Sequence, residues 1–169
     1  MADPTKIQIV LTHSDGGNAV WDSETLASAT PDFVLGVWRM VKDVESSVFG
    51  YVRLPKSIGA TPAAKIRLLL AANATTGDTR LAVEARPIAA GESVDQAMDT
   101  TVSAQDVDMA GTAYDLVEPT FTMPTTGNGF PVAADDLLLV RIFHDGDHAN
   151  DTLAVDTLLV GAYLEVDLT

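Results

Sequence analysis

Two apolar runs in the last third of the chain, separated by a polar turn, constrain the fold more than any other feature. The first run covers residues 137–143 and the second covers residues 152–166, and both are rich in Leu, Val and Ile. The turn between them, residues 144–151, has the sequence His-Asp-Gly-Asp-His-Ala-Asn-Asp. Such runs, bounded by Asp, Asn and Gly, are typical of strands joined by a turn. The pattern therefore predicts a long β-hairpin.

The two predicted strands differ in the alternation of their side chains. In the second strand, strict alternation places five apolar residues on one face, namely Leu158, Val160, Ala162, Leu164 and Val166. The first strand is apolar on both faces, with Leu138, Val140 and Ile142 on one and Leu137, Leu139 and Phe143 on the other. A surface strand of an isolated sandwich needs one wet face. We therefore expect one of these faces to be covered by another subunit, and a closed trimer would cover it on every copy.

The rest of the chain also has strand patterns. These lie at residues 6–12, 33–41, 48–54, 66–70, 81–85, 100–103 and 112–123. Turn signals recur every 8–14 residues and no helical periodicity is convincing, which predicts an all-β antiparallel sandwich. Residues 13–31 are polar and carry Trp21, so we expect an N-terminal arm or long loop over residues 1–31 and a single sandwich domain over residues 32–169. In the alternative, residues 7–11 join the sandwich and Trp21 caps its core.

The charge of the chain limits its partners. The net charge is −14, and the excess lies in residues 91–169, which hold fifteen acidic residues and a single basic one, Arg141. Such a surface repels nucleic acid and anionic lipid. No apolar run approaches the length of a membrane span, and the first residues lack the pattern of a secretory signal. The absence of cysteine excludes disulfides, thiolate metal sites and thiol catalysis.

Several turn and strand-end signals follow one another in a familiar order. They are Leu54-Pro55, the polar segments at residues 73–78 and 91–98, Asp135-Asp136, Arg141, and Asp151-Thr152. Over residues 47–167 this succession resembles the jelly-roll structural proteins of tailed-virus virions: capsid decoration (cement) proteins, head fibres and tail accessory domains. The resemblance implies a jelly-roll sandwich and a homotrimer bound to the major capsid protein. It also implies a location on the virion surface after synthesis in the host cytoplasm.

The polar turn contains the densest group of candidate metal ligands. These are His144, Asp145, Asp147, His148, Asn150 and Asp151. Asp-x-Asp spacing followed by oxygen donors can hold Ca²⁺. The alternative is a solvated turn, in which Asp, Asn and Gly serve the backbone. The final acid of an EF-hand loop is missing, so we assign no metal ligand and no cofactor.

Neither catalysis nor sugar binding has a strong signal in the sequence. The chain has no Gly-x-Ser-x-Gly, Walker or His-Glu-x-x-His motif, and His13 stands alone in a polar segment. We therefore expect no catalytic residue and no enzyme. A sugar-stacking platform could be built from five aromatic residues, Trp21, Trp38, Tyr51, Tyr114 and Tyr163. Their apolar contexts favour roles in the core or in subunit contacts.

Two functions follow from these observations. The first is a non-enzymatic viral structural protein that decorates and stabilises a capsid shell as a trimer. The alternative is a receptor- or carbohydrate-binding domain of a virion fibre, tail or baseplate. In neither case does the chain bind nucleic acid or a membrane.

Overall fold

The structure, a computed structural model, describes residues 5–15, 18–26, 33–58, 64–98, 101–109 and 111–167. These residues form eleven β-strands. In chain order they are β1 (Thr5–Gln8), β2 (Val10–Ser14), β3 (Ala19–Leu26), β4 (Phe33–Met40), β5 (Glu45–Arg53), β6 (Lys65–Ala71), β7 (Asp78–Ile88), β8 (Thr101–Asp108), β9 (Thr120–Thr122), β10 (Leu137–Asp145) and β11 (Thr157–Val166). The described part of the chain contains no helix, and hence none that could span a membrane.

The strands form two sheets that pack face to face. Sheet A has the order β3–β4–β11–β6–β9, with β1 also paired to β11, and sheet B has the order β2–β5–β10–β7–β8. All the described strand pairs are antiparallel. The core lies between the sheets and includes Leu68 from sheet A and Ile142 from sheet B, both fully buried. The chain is therefore a β-sandwich.

The connectivity of the last eight strands identifies the kind of sandwich. When β4 to β11 are counted from one to eight, sheet A has the order one, eight, three, six. Sheet B has the order two, seven, four, five. Successive strands thus alternate between the sheets except at β7 and β8, which pair with each other in sheet B, and this is the double Greek-key arrangement of a jelly roll. The predicted all-β jelly-roll sandwich is confirmed.

The predicted terminal hairpin is wrong, although both of its strands exist. β10 lies in sheet B and β11 in sheet A, so the turn between them arches from one sheet to the other. The polar segment at residues 73–78 is likewise part of an arch, which joins β6 of sheet A to β7 of sheet B. Turn residues reverse the chain equally well in either case, and both partners bury one face in the same core. Strand pattern and turn composition therefore do not distinguish a hairpin from an arch.

Three strands lie within residues 5–26. β1 and β2 take the place of the single strand expected at residues 6–12, and β3 lies where an arm or long loop was expected over residues 13–31. β1 pairs with β11 in sheet A, β2 pairs with β5 in sheet B, and β3 pairs along its whole length with β4. Between β1 and β2 the chain crosses from one sheet to the other at Ile9, which is 1 % exposed. The division of the chain at residue 31 stays a prediction, because residues 27–32 lie outside those described.

A bulge in β11 changes which of its residues face the core. The register against β6 shifts between Leu159 and Gly161. As a result, Leu159, Ala162, Leu164 and Val166 pack in the core, whereas Leu158 and Val160 lie on the outer face of sheet A in a smaller apolar cluster with Val37. The strict alternation predicted for this strand is therefore wrong before the bulge and correct after it.

The outer face of sheet A holds an acid between bases. Glu165 is buried, accepts a 2.7 Å hydrogen bond from Arg67 Nε and lies 3.7 Å from Lys65 Nζ. Lys6 stands opposite Glu165 on β1. The hydrogen bond from Arg67, with smaller contributions from the positive charges of Arg67, Lys65 and Lys6, lowers the pKa of Glu165 below its ordinary value of 4.5.

We expect the Glu165→Gln variant to be less stable than the wild type by about 1 kcal/mol at neutral pH, since Arg67 and Lys65 are partly exposed and screened. Because the folded pKa is lowered, the carboxylate stabilises the fold above its ordinary pKa of 4.5. That contribution is lost as the pH falls through the folded pKa. Urea denaturation at several pH values measures the gap between the two proteins. A gap that stays constant down to strongly acidic pH would contradict this prediction.

Candidate functional site

The structure divides the turn that contains the candidate metal ligands into a buried half and an exposed half. His144 is 1 % exposed and faces the core, and the side chain of Asp151 is equally inaccessible. Asp145 and Asp147 point outwards. The six candidate ligands therefore do not surround one point.

The buried half is a hydrogen-bonded network. His144 Nε2 lies 2.9 Å from Asp151 Oδ2, and His144 Nδ1 lies 3.4 Å from Ser46 Oγ. The same carboxylate oxygen accepts a 2.8 Å hydrogen bond from the backbone N–H of Arg80. The order Ser–His–Asp is that of a hydrolase triad, but Ser46 is fully buried and no substrate can reach its hydroxyl. The network therefore ties the arch between β10 and β11 to strands β5 and β7.

The exposed half brings together three carboxylates that the sequence did not group. Glu45, Asp145 and Asp147 have oxygens within 4.8 Å of one another. Glu45 stands directly opposite Asp145 in the β5–β10 ladder, and Asp145 also lies 3.4 Å from Arg80 Nε. Exposed acidic groups of this kind are common without a cation. That this turn holds no metal ligand stays a prediction.

The five aromatic residues weighed as a possible sugar platform are spread over both sheets. Trp21 and Trp38 stand opposite each other on β3 and β4, with ring centroids 5.4 Å apart. Tyr114 and Tyr163 donate hydrogen bonds to Glu24 and Glu118 respectively. Tyr51 alone lies on β5, in sheet B. A single platform of these five residues is therefore excluded by the fold.

A groove on the outer face of sheet B is a candidate site because its lining is aromatic, apolar and neutral polar. It has a volume of about 240 Å³. Its lining consists of Thr12, His13, Phe49, Gly50, Tyr51, Gln96, Met98, Leu139 and Val140. We call this the sheet B groove. The sequence indicated only Tyr51 as a possible sugar contact. It marked Leu139 and Val140 as strand residues and His13 as a lone histidine, because the lining is assembled from β2, β5, β10 and the β7–β8 connection.

The strands position the aromatic wall of the sheet B groove. His13 pairs with Phe49 across β2 and β5, and their rings stack with centroids 4.8 Å apart and planes inclined by 10°. Tyr51 is two residues further along β5, opposite Leu139 of β10, and is 43 % exposed. A bulge in β2 between Leu11 and His13 adjusts the register here. His13, expected in a loop, is instead a strand residue of this wall.

The other wall comes from the connection between β7 and β8. Gln96 accepts a hydrogen bond from Arg86, and Gln96 and Met98 line the groove beside Leu139. Nearby, the guanidinium carbon of Arg141 lies 4.9 Å from the ring centroid of Phe143. The outer face of β10, on which Leu137, Leu139 and Phe143 lie, is therefore half-buried by residues of the same chain. The face on which the trimer prediction was based thus has its own partial cover.

No family model matches this chain, and no curated protein sequence matches it. Some solved structures are similar to it at low identity. One is TmCBM61 in complex with β-1,4-galactotriose, with 10 % identity, a TM-score of 0.39 and coverage of 90 % of this chain and 92 % of that one. Another is a family 11 carbohydrate-binding module from Clostridium thermocellum in complex with a β-1,3-1,4-mixed-linked tetrasaccharide, with 10 % identity, a TM-score of 0.40 and coverage of 97 % and 96 %. A third is the family 11 carbohydrate-binding module of the cellulosomal cellulase Lic26A-Cel5E of Clostridium thermocellum, with 10 % identity, a TM-score of 0.36 and coverage of 100 % and 91 %.

Proposed function

We propose that this protein is a non-catalytic binding module that holds a neutral carbohydrate in the sheet B groove. The observation that carries the proposal is the chemistry of the lining. In a chain of which 20 % of the residues are charged, with a net charge of −14, the lining contains no Asp, Glu, Lys or Arg. A charged ligand would find no counter-charge in the lining, whereas a neutral ligand with an apolar face and hydroxyl groups fits both kinds of residue present.

The lining of the groove suits both the apolar face and the polar edge of a sugar ring. The face of a pyranose is a patch of C–H groups, which packs against aromatic rings such as those of Tyr51 and the stacked pair His13 and Phe49. The hydroxyl groups at its edge need polar side chains, and Thr12 and Gln96 supply them at the rim. The volume of about 240 Å³ suits one or two sugar units of a longer chain.

We expect the Tyr51→Ala variant to bind a neutral oligosaccharide about tenfold more weakly than the wild type, because the variant loses the exposed ring of the platform. The ligand is first chosen from a panel of neutral and uronic-acid-containing oligosaccharides, and its affinity is then measured by isothermal titration calorimetry. The matched control is Tyr163→Ala, which removes the same side chain from the outer face of sheet A.

Three outcomes would overturn the proposal. They are a lack of binding to every neutral glycan of the panel, a preference for the uronic-acid ligands, and a Tyr51→Ala variant with unchanged affinity. A loss of affinity shared equally by the Tyr163→Ala control would also count against the groove.

Capsid decoration, the trimer, the virion location and the contact with a major capsid protein stay predictions from the sequence. Capsid decoration and carbohydrate binding are both functions of a binding protein that catalyses no reaction. A carbohydrate-binding module on a fibre or tail would satisfy the resemblance to virion jelly rolls as well as a cement protein does.

A further inference from the structure

The outer edge of β3 is the least protected sheet edge among the described residues. Edge strands are usually blunted by shortness, bulges, prolines or lysines. β9 has three residues between Pro119 and Pro124, β1 has four and contains Lys6, and β2 and β8 pair with irregular register. β3 has eight residues, contains no proline or basic residue, and keeps an unbroken register with β4 over all eight.

The edge presents backbone groups in a known direction. Ser23 N–H is hydrogen-bonded at 2.7 Å to Oδ1 of its neighbour Asp22 and so faces away from β4. In an antiparallel ladder the hydrogen-bonding direction alternates from residue to residue, so the N–H groups of Trp21 and Thr25 face the same way. An incoming strand therefore finds outward backbone groups at Trp21 and Thr25, whereas the Ser23 N–H is already bonded to Asp22.

An apolar anchor site lies beside this edge. Seven large apolar side chains are exposed in the described part of the chain, and three of them lie on the side of β3 to which Trp21 points: Val10, Trp21 and Val34. Trp21 is 60 % exposed, and its ring packs on Gly36, where a Cβ would lie 2.7 Å from the ring. Beside Trp21 and Trp38 is a cavity of about 260 Å³, floored by Val160 and Gly161.

The cavity has a structural cause. β4 pairs with β11 only as far as Leu159, and β1 pairs with β11 only from Tyr163 onwards. The bulge of β11 lies between these two pairings, so sheet A has a gap at this point. The result is a cavity close to an open strand edge. An extended chain with alternating side chains can pair with the edge and place one side chain in the cavity.

The charge of β3 indicates the kind of chain that binds. Its charged residues are Asp22 and Glu24, both on the face opposite Trp21, and they share Arg39 with Asp156. Three carboxylates thus surround one guanidinium, which leaves a net negative charge. A strand paired with β3 would place alternate side chains against this acidic face and the others towards Trp21.

A second copy of the chain fits this edge poorly. Opposite residues of an antiparallel pair share a face, so full-length pairing of β3 with its twofold mate sets Asp22 against either Asp22 or Glu24 of the other copy. Like charges directly opposite each other destabilise a sheet. The net charge of −14 on each copy adds repulsion.

We propose that β3 is a docking edge for an extended segment of another protein in which basic and apolar residues alternate. The basic side chains lie over Asp22 and Glu24, one apolar side chain enters the cavity beside Trp21, and the segment becomes the outermost strand of sheet A. This interaction is independent of the sheet B groove.

The test uses a synthetic peptide of alternating lysine and valine, with two peptide controls. One control alternates glutamate and valine, and the other has the lysine–valine composition in two blocks. Binding to the full chain is followed by calorimetry and by the fluorescence of the tryptophans. We expect the alternating basic peptide to bind, the two controls to bind at least about tenfold more weakly, and added salt to weaken binding.

Two variants locate the site. Thr25→Pro removes an outward N–H and leaves the ladder with β4 intact, and Trp21→Thr removes the anchor. We expect each variant to bind the alternating basic peptide about tenfold or more weakly than the wild type. Leu116→Thr, which changes an exposed apolar residue elsewhere, should leave this affinity unchanged. Thermal melts establish that the variants are folded. Unchanged affinity in both variants, equal binding of the glutamate peptide, or a wild-type dimer that Thr25→Pro makes monomeric would each overturn the proposal.

Discussion

A chain that lacks residues 1–15 is expected to lose its cooperative unfolding transition at room temperature. The deletion removes β1 and β2, and with them Ile9, which is buried where the chain crosses between the sheets. It also leaves β5 without a strand partner on one side, and the last residues of β11 without one on the side opposite β6. Burial of Ile7, Ile9 and Leu11 contributes about 5 kcal/mol or more, which is comparable to the whole net stability of a domain of this size.

The same argument is tested more finely by two neighbouring point variants. Ile9→Ala should lower the free energy of unfolding by about 2–5 kcal/mol, as large-to-small changes in a core do. Val10→Ala is the matched control, because Val10 is 50 % exposed, and it should change stability by no more than about 0.5 kcal/mol. Urea denaturation followed by circular dichroism measures both.

A truncated chain that melts like the full one would show that the first strands dock on a finished sandwich. That result would agree with the N-terminal arm expected over residues 1–31. If the arm serves only to attach the protein to a partner, a chain that lacks it stays folded and loses only that attachment. Equal effects of Ile9→Ala and Val10→Ala would contradict the position of Ile9 in the core.

The second large effect is expected at the buried network. Asp151→Ala should lower the free energy of unfolding by about 2–4 kcal/mol. The change leaves the Nε2 of His144 and the backbone N–H of Arg80 buried without the carboxylate that they contact. Denaturation by guanidinium chloride gives the stability, and hydrogen exchange of the arch shows whether the loss is local.

The control for this experiment lies in the same arch. Asp147 is exposed, so Asp147→Ala removes the same functional group without uncovering a buried partner. It should leave stability within about 0.5 kcal/mol of the wild type. If Asp147→Ala costs as much as Asp151→Ala, the exposed carboxylates, and not the network, hold the arch in place.

The fold class was accessible from the sequence because it depends on local pattern. The alternation of side chains identifies β5, β6 and β7 as strands. One of the two apolar faces expected for β10, with Leu138, Val140 and Ile142, is the face that packs in the core. The partners of the strands were not accessible. Whether β10 pairs with β11 or packs across from it depends on contacts from β5 and β7, which are more than 40 residues away in sequence.

The same limit applies to the sites. His144 and Asp151 are held in the core by hydrogen bonds with Ser46, Thr79 and the backbone of Arg80. None of these partners is near them in sequence. The bulge in β11 has no signal beyond Gly161, which would suit many other roles. The sheet B groove combines three strands of one sheet, β2, β5 and β10, with a distant connection, so only its exposed tyrosine could be noticed in advance as a possible sugar contact.

The pairing of β1 with β11 has a consequence for the order of events during synthesis. Thr5 stands opposite Val166, and β11 is also the partner of β4 and β6. Sheet A therefore lacks its central strand until residue 166 has left the ribosome, and until then β4 can pair only with β3, and β6 only with β9. Such long-range pairing slows folding and exposes strand edges. A nascent chain stalled before residue 157 should accordingly be protease-sensitive throughout, and protection should appear in one step when β11 emerges.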